Sequence, residues 1–311
     1  MNDQAVLPDL DPHRLAATLR ALAREDFCVF VQCAFRVLYS DEFLRNWHID
    51  AIASELTRLA NGDIRRLVIT VPPRTLKSFI GSVCYPAWLL GRNPGEKIIC
   101  VSYAHELSGD FAFLTRKLME SDWYQRVFPQ TRIDRKRASL DKMTTTRGGY
   151  RYSTSIGGTL TGRGGAFIII DDPLKAADAH SETARENGVT WFKSTVLSRL
   201  NNPKEGKIVV IAQRLHMEDL PGQLLAHGGW HELRLPLIAD RDQSIRLISG
   251  TIIERPAGHI LHEARFDEQE IAGLRAAMGE QDFEAQYNQR PLPPGGALFK
   301  LQWLSRYDER P

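Results

Sequence analysis

The chain has 311 residues, with 40 Lys plus Arg against 38 Asp plus Glu, a formal charge of +2, and 43% hydrophobic residues. This balance is that of an ordinary globular chain and excludes a largely disordered or collagen-like one. No apolar run approaches the roughly 20 residues that span a bilayer, and no basic, then apolar, leader opens the sequence, so a cytoplasmic protein is expected.

The first 64 residues read as a helical preface laid against a sheet. Asp11 is placed to cap a helix over His13 to Glu25, and a second helix is expected from Asn46 or Trp47 to Leu59. From Arg65 short β-branched runs alternate with amphipathic segments. Leu67 to Val71, Lys97 to Ser102, Ala166 to Asp171, Lys207 to Ala212 and His231 to Leu235 read as strands. Ser78 to Leu90, Glu106 to Ser121, Ser181 to Leu200 and Glu218 to His227 read as helices. Strands separated by helices require crossover connections, so residues 65–290 predict an α/β domain with a mostly parallel sheet flanked by helices. Beyond Pro236 come a turn-rich stretch to Pro256, a helix from Asp267 to about Met278 and another over about Gln281 to Gln289. Pro291 to Gly296 reads as a linker opening a last segment, 291–311. Four cysteines form no C-x-x-C pair and read as buried free thiols, and His259 with His262 has no further ligand at metal spacing.

The most informative stretch is Leu67-Val68-Ile69-Thr70-Val71-Pro72-Pro73-Arg74-Thr75-Leu76-Lys77-Ser78, which sets a Lys-Ser pair at a strand-to-helix turn. In a phosphate-binding loop the lysine reaches the β- and γ-phosphates, the hydroxyl binds Mg²⁺ and backbone N–H groups hold the anion. Lys77 and Ser78 suit those roles. The pattern departs from G-x-x-x-x-G-K-[ST] at both glycines, which are Val71 and Leu76 here. A leucine before the lysine costs on the order of 1 to 2 kcal/mol if the loop demands a positive φ there. Taken alone, the pair is also a common way to open a helix with a solvated lysine. At 94 residues from Lys77, Phe167-Ile168-Ile169-Ile170-Asp171-Asp172-Pro173 is a buried-strand run ending in two carboxylates. Such a strand delivers one acid to a metal and the next to the attacking water, although a turn closing a buried strand has the same appearance. Both motifs, in this order, are expected to end adjacent parallel strands and to gather Lys77, Ser78, Asp171 and Asp172 at the C-terminal edge of the sheet.

These residues, with Trp47-His48-Ile49-Asp50, Gly157-Gly158-Thr159-Leu160-Thr161-Gly162-Arg163-Gly164, Gln213-Arg214-Leu215-His216, Glu218-Asp219-Leu220 and Phe283-Glu284-Ala285-Gln286-Tyr287-Asn288-Gln289-Arg290-Pro291, resemble the large subunit of tailed-phage terminases. The resemblance runs in one order from about Phe30 to Tyr307. It implies a RecA-like P-loop NTPase of the additional-strand class that uses ATP and Mg²⁺ to drive viral genome packaging. It further implies a homo-oligomeric ring on the portal protein, with double-stranded DNA and the terminase small subunit as partners. By the same resemblance Pro73, Arg74, Thr75, Leu76, Lys77, Ser78 and Gln213 face the nucleotide, Ser78 and Asp171 the metal, and Asp172 is the catalytic carboxylate. Arg163, flanked by glycines, is the first choice for an arginine supplied in trans, with Arg147 and Arg199 as alternatives. Thr75-Leu76, Gln213 and Leu215 replace the His-Gly, Thr and Trp usual in the family. A family large subunit continues into a nuclease domain, and no nuclease activity is expected of this chain. A degenerate remnant that binds DNA or partners with little hydrolysis is the alternative reading, and a helicase-type ATPase is disfavoured by the missing second RecA-like domain.

The span Thr131 to Tyr152 carries seven basic residues, Arg132, Arg135, Lys136, Arg137, Lys142, Arg147 and Arg151, against Asp134 and Asp141. Local charge of this kind can meet a phosphate backbone without reading sequence, and a solvated surface hairpin looks the same.

Overall fold

The computed structural model describes residues 11 to 293 apart from Leu140 and Thr161. Residues 294–311, half of the expected linker and all that follows it, therefore lie outside the described residues. Three helices precede the sheet: α1 (Pro12–Glu25), α2 (Phe27–Leu38) and α3 (Trp47–Asn61). The Asp11 carboxylate accepts from the His13 N–H at 3.0 Å, as expected of an N-cap. Helix α2 is absent from the sequence expectation because its residues are nearly all apolar, which hides the helical period. Asp26 caps it, and Phe27 inserts between Tyr85 and Trp88 with ring centroids 5.4 and 5.1 Å away. The preface and the sheet thus share one apolar core, running from Ala23 to Tyr287.

Seven strands form the main sheet: β1 (Arg66–Thr70), β2 (Lys97–Ser102), β3 (Lys142–Thr144), β4 (Tyr150–Ser155), β5 (Phe167–Asp171), β6 (Lys207–Ala212) and β7 (His231–Arg234). Their spatial order is β3-β4-β2-β5-β6-β1-β7, and only the β3–β4 pairing is antiparallel. All five residues of β5 are buried, the signature of a strand covered on both faces. The expectation that β1 and β5 are adjacent is corrected: β6 lies between them and pairs with both. Strands β3 and β4 also went unpredicted, because Arg151 and the serine and threonine positions of β4 give no apolar alternation, although the strand is buried from Tyr150 to Thr154.

Helices fill the crossovers: α4 (Tyr85–Arg92), α5 (His105–Glu120), α6 (Asp122–Val127), α7 (Glu182–Trp191) and α8 (Leu220–His227). The helix expected from Ser78 begins as a π-helical stretch, Phe79–Cys84, before α4. A Cβ on Gly81 would lie 2.2 Å from the Ile211 side chain, so the glycine lets this stretch approach β6 closely. The long helix expected over Ser181 to Leu200 is broken into α7, a π stretch and a 3₁₀ turn. The turn-rich segment contains a small antiparallel hairpin, β8 (Gln243–Arg246) with β9 (Ile252–Arg255). Two helices come after it, α9 (Glu268–Met278) and α10 (Glu280–Gln286). Of the cysteines, Cys84 and Cys100 are buried whereas Cys28 and Cys33 are half-buried.

Candidate active site

Strand β1 ends at Thr70, and the chain crosses from Val71 to Ser78 before the π stretch begins. Leu76 has φ 63° and Arg74 also has φ 63°, so the loop makes the left-handed hook that a glycine would adopt freely. Neighbouring groups hold the hook in place. The Thr75 hydroxyl donates to Pro72 O at 2.7 Å, His48 Nε2 donates to Thr75 O at 3.2 Å, and Arg265 Nη1 donates to Arg74 O at 3.0 Å. Strained backbone persists only where its surroundings over-determine it in this way. His48 is buried, and burial, helped by the nearby His262 and Arg265, holds it down at about 4, so the ring is neutral at pH 7. The His48 motif was visible in the sequence, but its role as a clamp on the loop was not, because the contact joins residues 27 apart.

The hook delivers Lys77 and Ser78 to the C-terminal ends of β5 and β6. Lys77 Nζ lies 3.0 Å from Asp172 Oδ2, in a pair with both side chains largely buried. Ser78 Oγ donates to Asp171 Oδ1 at 3.2 Å, and Ser82 Oγ donates to Asp171 Oδ2 at 2.8 Å. Ser82 was missed by sequence reading, although its place four residues after Ser78 is the helical-face signal that identifies it. Behind it, Arg151 is fully buried and donates to Ser82 O at 3.1 Å, which takes this residue out of the basic surface read from the sequence. Lys142 lies over the Tyr150 ring, while Arg132, Arg135, Lys136, Arg137 and Arg147 are exposed.

Asp172 has φ 43°, and its Oδ1 accepts from the Gln213 N–H at 3.2 Å, at the end of β6. The Gln213 side chain is at the same edge, and its Oε1 is buried without a hydrogen-bond partner among the described residues. The next residues form a tight loop around Asp219, whose carboxylate accepts from Arg214 Nε and from the Leu215 and His216 N–H groups. Leu215 is buried and packs. Burial first, and the adjacent Asp172 carboxylate second, push Asp171 up to about 7.

No group of three or more His, Cys, Asp or Glu is gathered at metal-binding distance among the described residues. One carboxylate beside one hydroxyl is nonetheless the donor set that suits Mg²⁺, which keeps several waters and takes further oxygens from substrate phosphates. The unpartnered Gln213 Oε1 also fits a site whose polar partners arrive with a ligand.

Arg163 is not gathered with these groups. It precedes β5 by four residues, toward the opposite edge of the sheet, and its guanidinium lies 3.8 Å from the centroid of the Tyr152 ring. Its Nη1 is buried without a hydrogen-bond partner among the described residues. Arg199 Nη1 donates to Leu160 O in the same region, and Arg147 is exposed at the β3–β4 turn.

By sequence, the chain matches no family model and no curated protein. Solved structures do match. A point variant of the large-terminase ATPase domain of Thermus phage P74-26 superposes with a TM-score of 0.53 at 11% identity, over 83% of this chain and 97% of that one. The chain has the fold of a phage large-terminase ATPase domain. The HK97 bacteriophage large terminase matches this fold with a TM-score of 0.51 at 14% identity, over 85% of this chain and 54% of that one. The chain therefore spans about half the length of the HK97 protein. The mostly parallel, RecA-like sheet flanked by helices is the one that the sequence resemblance implied.

Proposed function

We propose that this chain is a Mg²⁺-dependent ATPase and serves as the motor of viral genome packaging. The observation that carries the reading is the convergence of Lys77, Ser78, Asp171 and Asp172 at one sheet edge, from motifs 94 residues apart. Residues Pro73 to Ser78 cradle the phosphates, with Lys77 leaving Asp172 to meet their charge. Ser78 and Asp171 hold the Mg²⁺, which when bound neutralises phosphate charge. Asp172, released from the ammonium, orients and polarises the attacking water, and Gln213 offers its amide to the same space.

Arg163 lies away from Lys77 in its own chain, so its proposed place is the site of a neighbouring copy in a ring. An arginine supplied in this way meets charge that develops only in the transition state. Activity is then expected to rise more steeply than linearly with protein concentration, and Arg163→Ala to abolish that rise with little change in nucleotide binding. The exposed cations between Arg132 and Arg147 are the proposed contact to double-stranded DNA, through phosphates alone. The portal protein and the terminase small subunit complete the proposed assembly.

Phosphate release with Mg²⁺-ATP, with and without double-stranded DNA, tests the reading on wild type and Lys77→Ala. The expected result is DNA-stimulated release that Lys77→Ala removes. Absence of release from the wild type under both conditions supports instead the degenerate remnant, for which the replaced loop glycine Leu76 is the specific observation.

A further inference from the structure

The segment after α10 belongs to the sequence motif Phe283 to Pro291, to which the ATPase reading gives no task. It leaves the helix at Tyr287, and Gln289 takes φ 52°. Gln289 is 2% exposed, and its Oε1 accepts from the Arg214 N–H at 2.9 Å. Its Nε2 donates back to the carbonyls of Gln286 and Tyr287, which fixes which end of the amide faces Arg214. The backbone around it is held as firmly. Arg234 donates to Asn288 O at 2.9 Å and to Gln289 O at 3.2 Å, the Leu237 N–H donates to Tyr287 O at 2.7 Å, and the Asn288 side chain accepts from the Ile238 N–H at 3.2 Å.

Gln213 and Arg214 therefore present consecutive backbone N–H groups to two residues of positive φ, Asp172 on one side and Gln289 on the other. An unbroken series of contacts runs from Lys77 Nζ through Asp172, Gln213 and Arg214 to Gln289. We infer that Gln289 is a positioning residue for the catalytic step: its Oε1 fixes the backbone of Gln213-Arg214, and so the amide that aims the Asp172 carboxylate. The inference rests on the ATPase reading for the word catalytic. The physical reason is one of timing. While Lys77 pairs with Asp172, the carboxylate is held from both sides. Once the lysine turns to phosphate, the Gln213 N–H is the remaining hold on Oδ1 among the described residues, and its direction depends on the neighbouring peptide that Gln289 fixes. A carboxylate free to swing loses the near-attack geometry on which rate depends, with ground-state binding unaffected.

Two variants separate this role from simple packing. Gln289→Met keeps the length of the side chain and removes the acceptor, whereas Gln289→Glu, protonated in this buried place, keeps an oxygen for the Arg214 N–H and an O–H for the carbonyls of Gln286 and Tyr287. Hydrogen exchange at the Gln213 and Arg214 amides of the ligand-free chain is the first readout. We expect exchange to quicken by about tenfold in Gln289→Met and to stay near wild type in Gln289→Glu, a change that corresponds to roughly 1.4 kcal/mol. Steady-state hydrolysis is the second, with kcat falling about tenfold in Gln289→Met, KM moving less than threefold, and Gln289→Glu restoring most of the loss. Unchanged exchange in Gln289→Met overturns the inference, as does a loss shared equally by both variants or carried by KM. If the wild type hydrolyses nothing while exchange responds as expected, the ATPase reading fails and Gln289 remains only a backbone clamp.

Discussion

The C-terminal edge of the main sheet contrasts sharply with the bodies of its strands. At the C-terminal edge lie all four non-glycine residues of positive φ among those described, Arg74, Leu76, Asp172 and Gln289, together with the buried Lys77–Asp172 pair and the unpartnered Gln213 Oε1. The strand bodies hold none of these features; Ile168, Ile169, Val209 and Val210 are fully buried in regular parallel ladders. Regular strands supply the stability, and the chain concentrates strain where a ligand would meet it.

The contrast can be tested by asking what each region contributes when altered. Ile169→Ala, in the middle of β5, is expected to cost about 2 to 5 kcal/mol through lost burial and the remaining cavity, read as a lower urea midpoint with an unchanged slope. Ser78→Ala at the edge is expected to cost no more than about 1 kcal/mol, the net worth of one hydrogen bond, while abolishing Mg²⁺-dependent turnover. Equal stability losses would erase the distinction between the regions.

A sign inversion sharpens it. On the exposed face of α9, Ala272→Gly should destabilise by roughly 0.5 to 1 kcal/mol, the ordinary cost of glycine in a helix. At position 76 the order should reverse, with Leu76→Gly more stable than Leu76→Ala by about 1 kcal/mol, because only glycine meets φ 63° without strain. Denaturant melts of the three variants decide it, and an alanine preference at both positions would remove the claim of strain.

A pH dependence tests the clamp on the loop. His48 is held at about 4 in the folded chain against an ordinary value of 6.5, so the unfolded chain takes up the proton first as pH falls. The contribution of the neutral ring is full above pH 6.5 and is lost as pH drops toward 4. His48→Gln should flatten this part of the thermal-stability profile while keeping a donor for Thr75 O. A profile that His48→Gln leaves unchanged would place the acid sensitivity elsewhere.

Much of this architecture was legible in the chain. The Lys97 to Ser102 and Lys207 to Ala212 strands stand where their β-branched runs predict, since a strand buried on both faces needs a continuous apolar stretch. Asp11 and the Asp267 capping box mark helix starts because their partners are two and three residues away. What escaped depends on distant partners. Neither the insertion of β6 between β1 and β5 nor the burial of Arg151 behind Ser82 can be read from local pattern. The same holds for the site. Lys77, Ser78, Asp171, Asp172 and Gln213 meet as their motifs suggest, whereas His48, Arg265 and Gln289 act through backbone groups 27, 191 and 75 residues away, and such contacts leave no signature of residue type.

The most direct test of the central claim compares phosphate release from Mg²⁺-ATP by the wild-type chain and by Asp172→Asn. Asparagine tolerates the left-handed backbone at this position and retains an oxygen for the Gln213 N–H, so the fold and nucleotide affinity should persist. The account predicts that turnover falls by at least about a hundredfold, the loss of roughly 2.7 kcal/mol of transition-state stabilisation, with nucleotide affinity within a few-fold of wild type. Wild-type turnover in Asp172→Asn would contradict it.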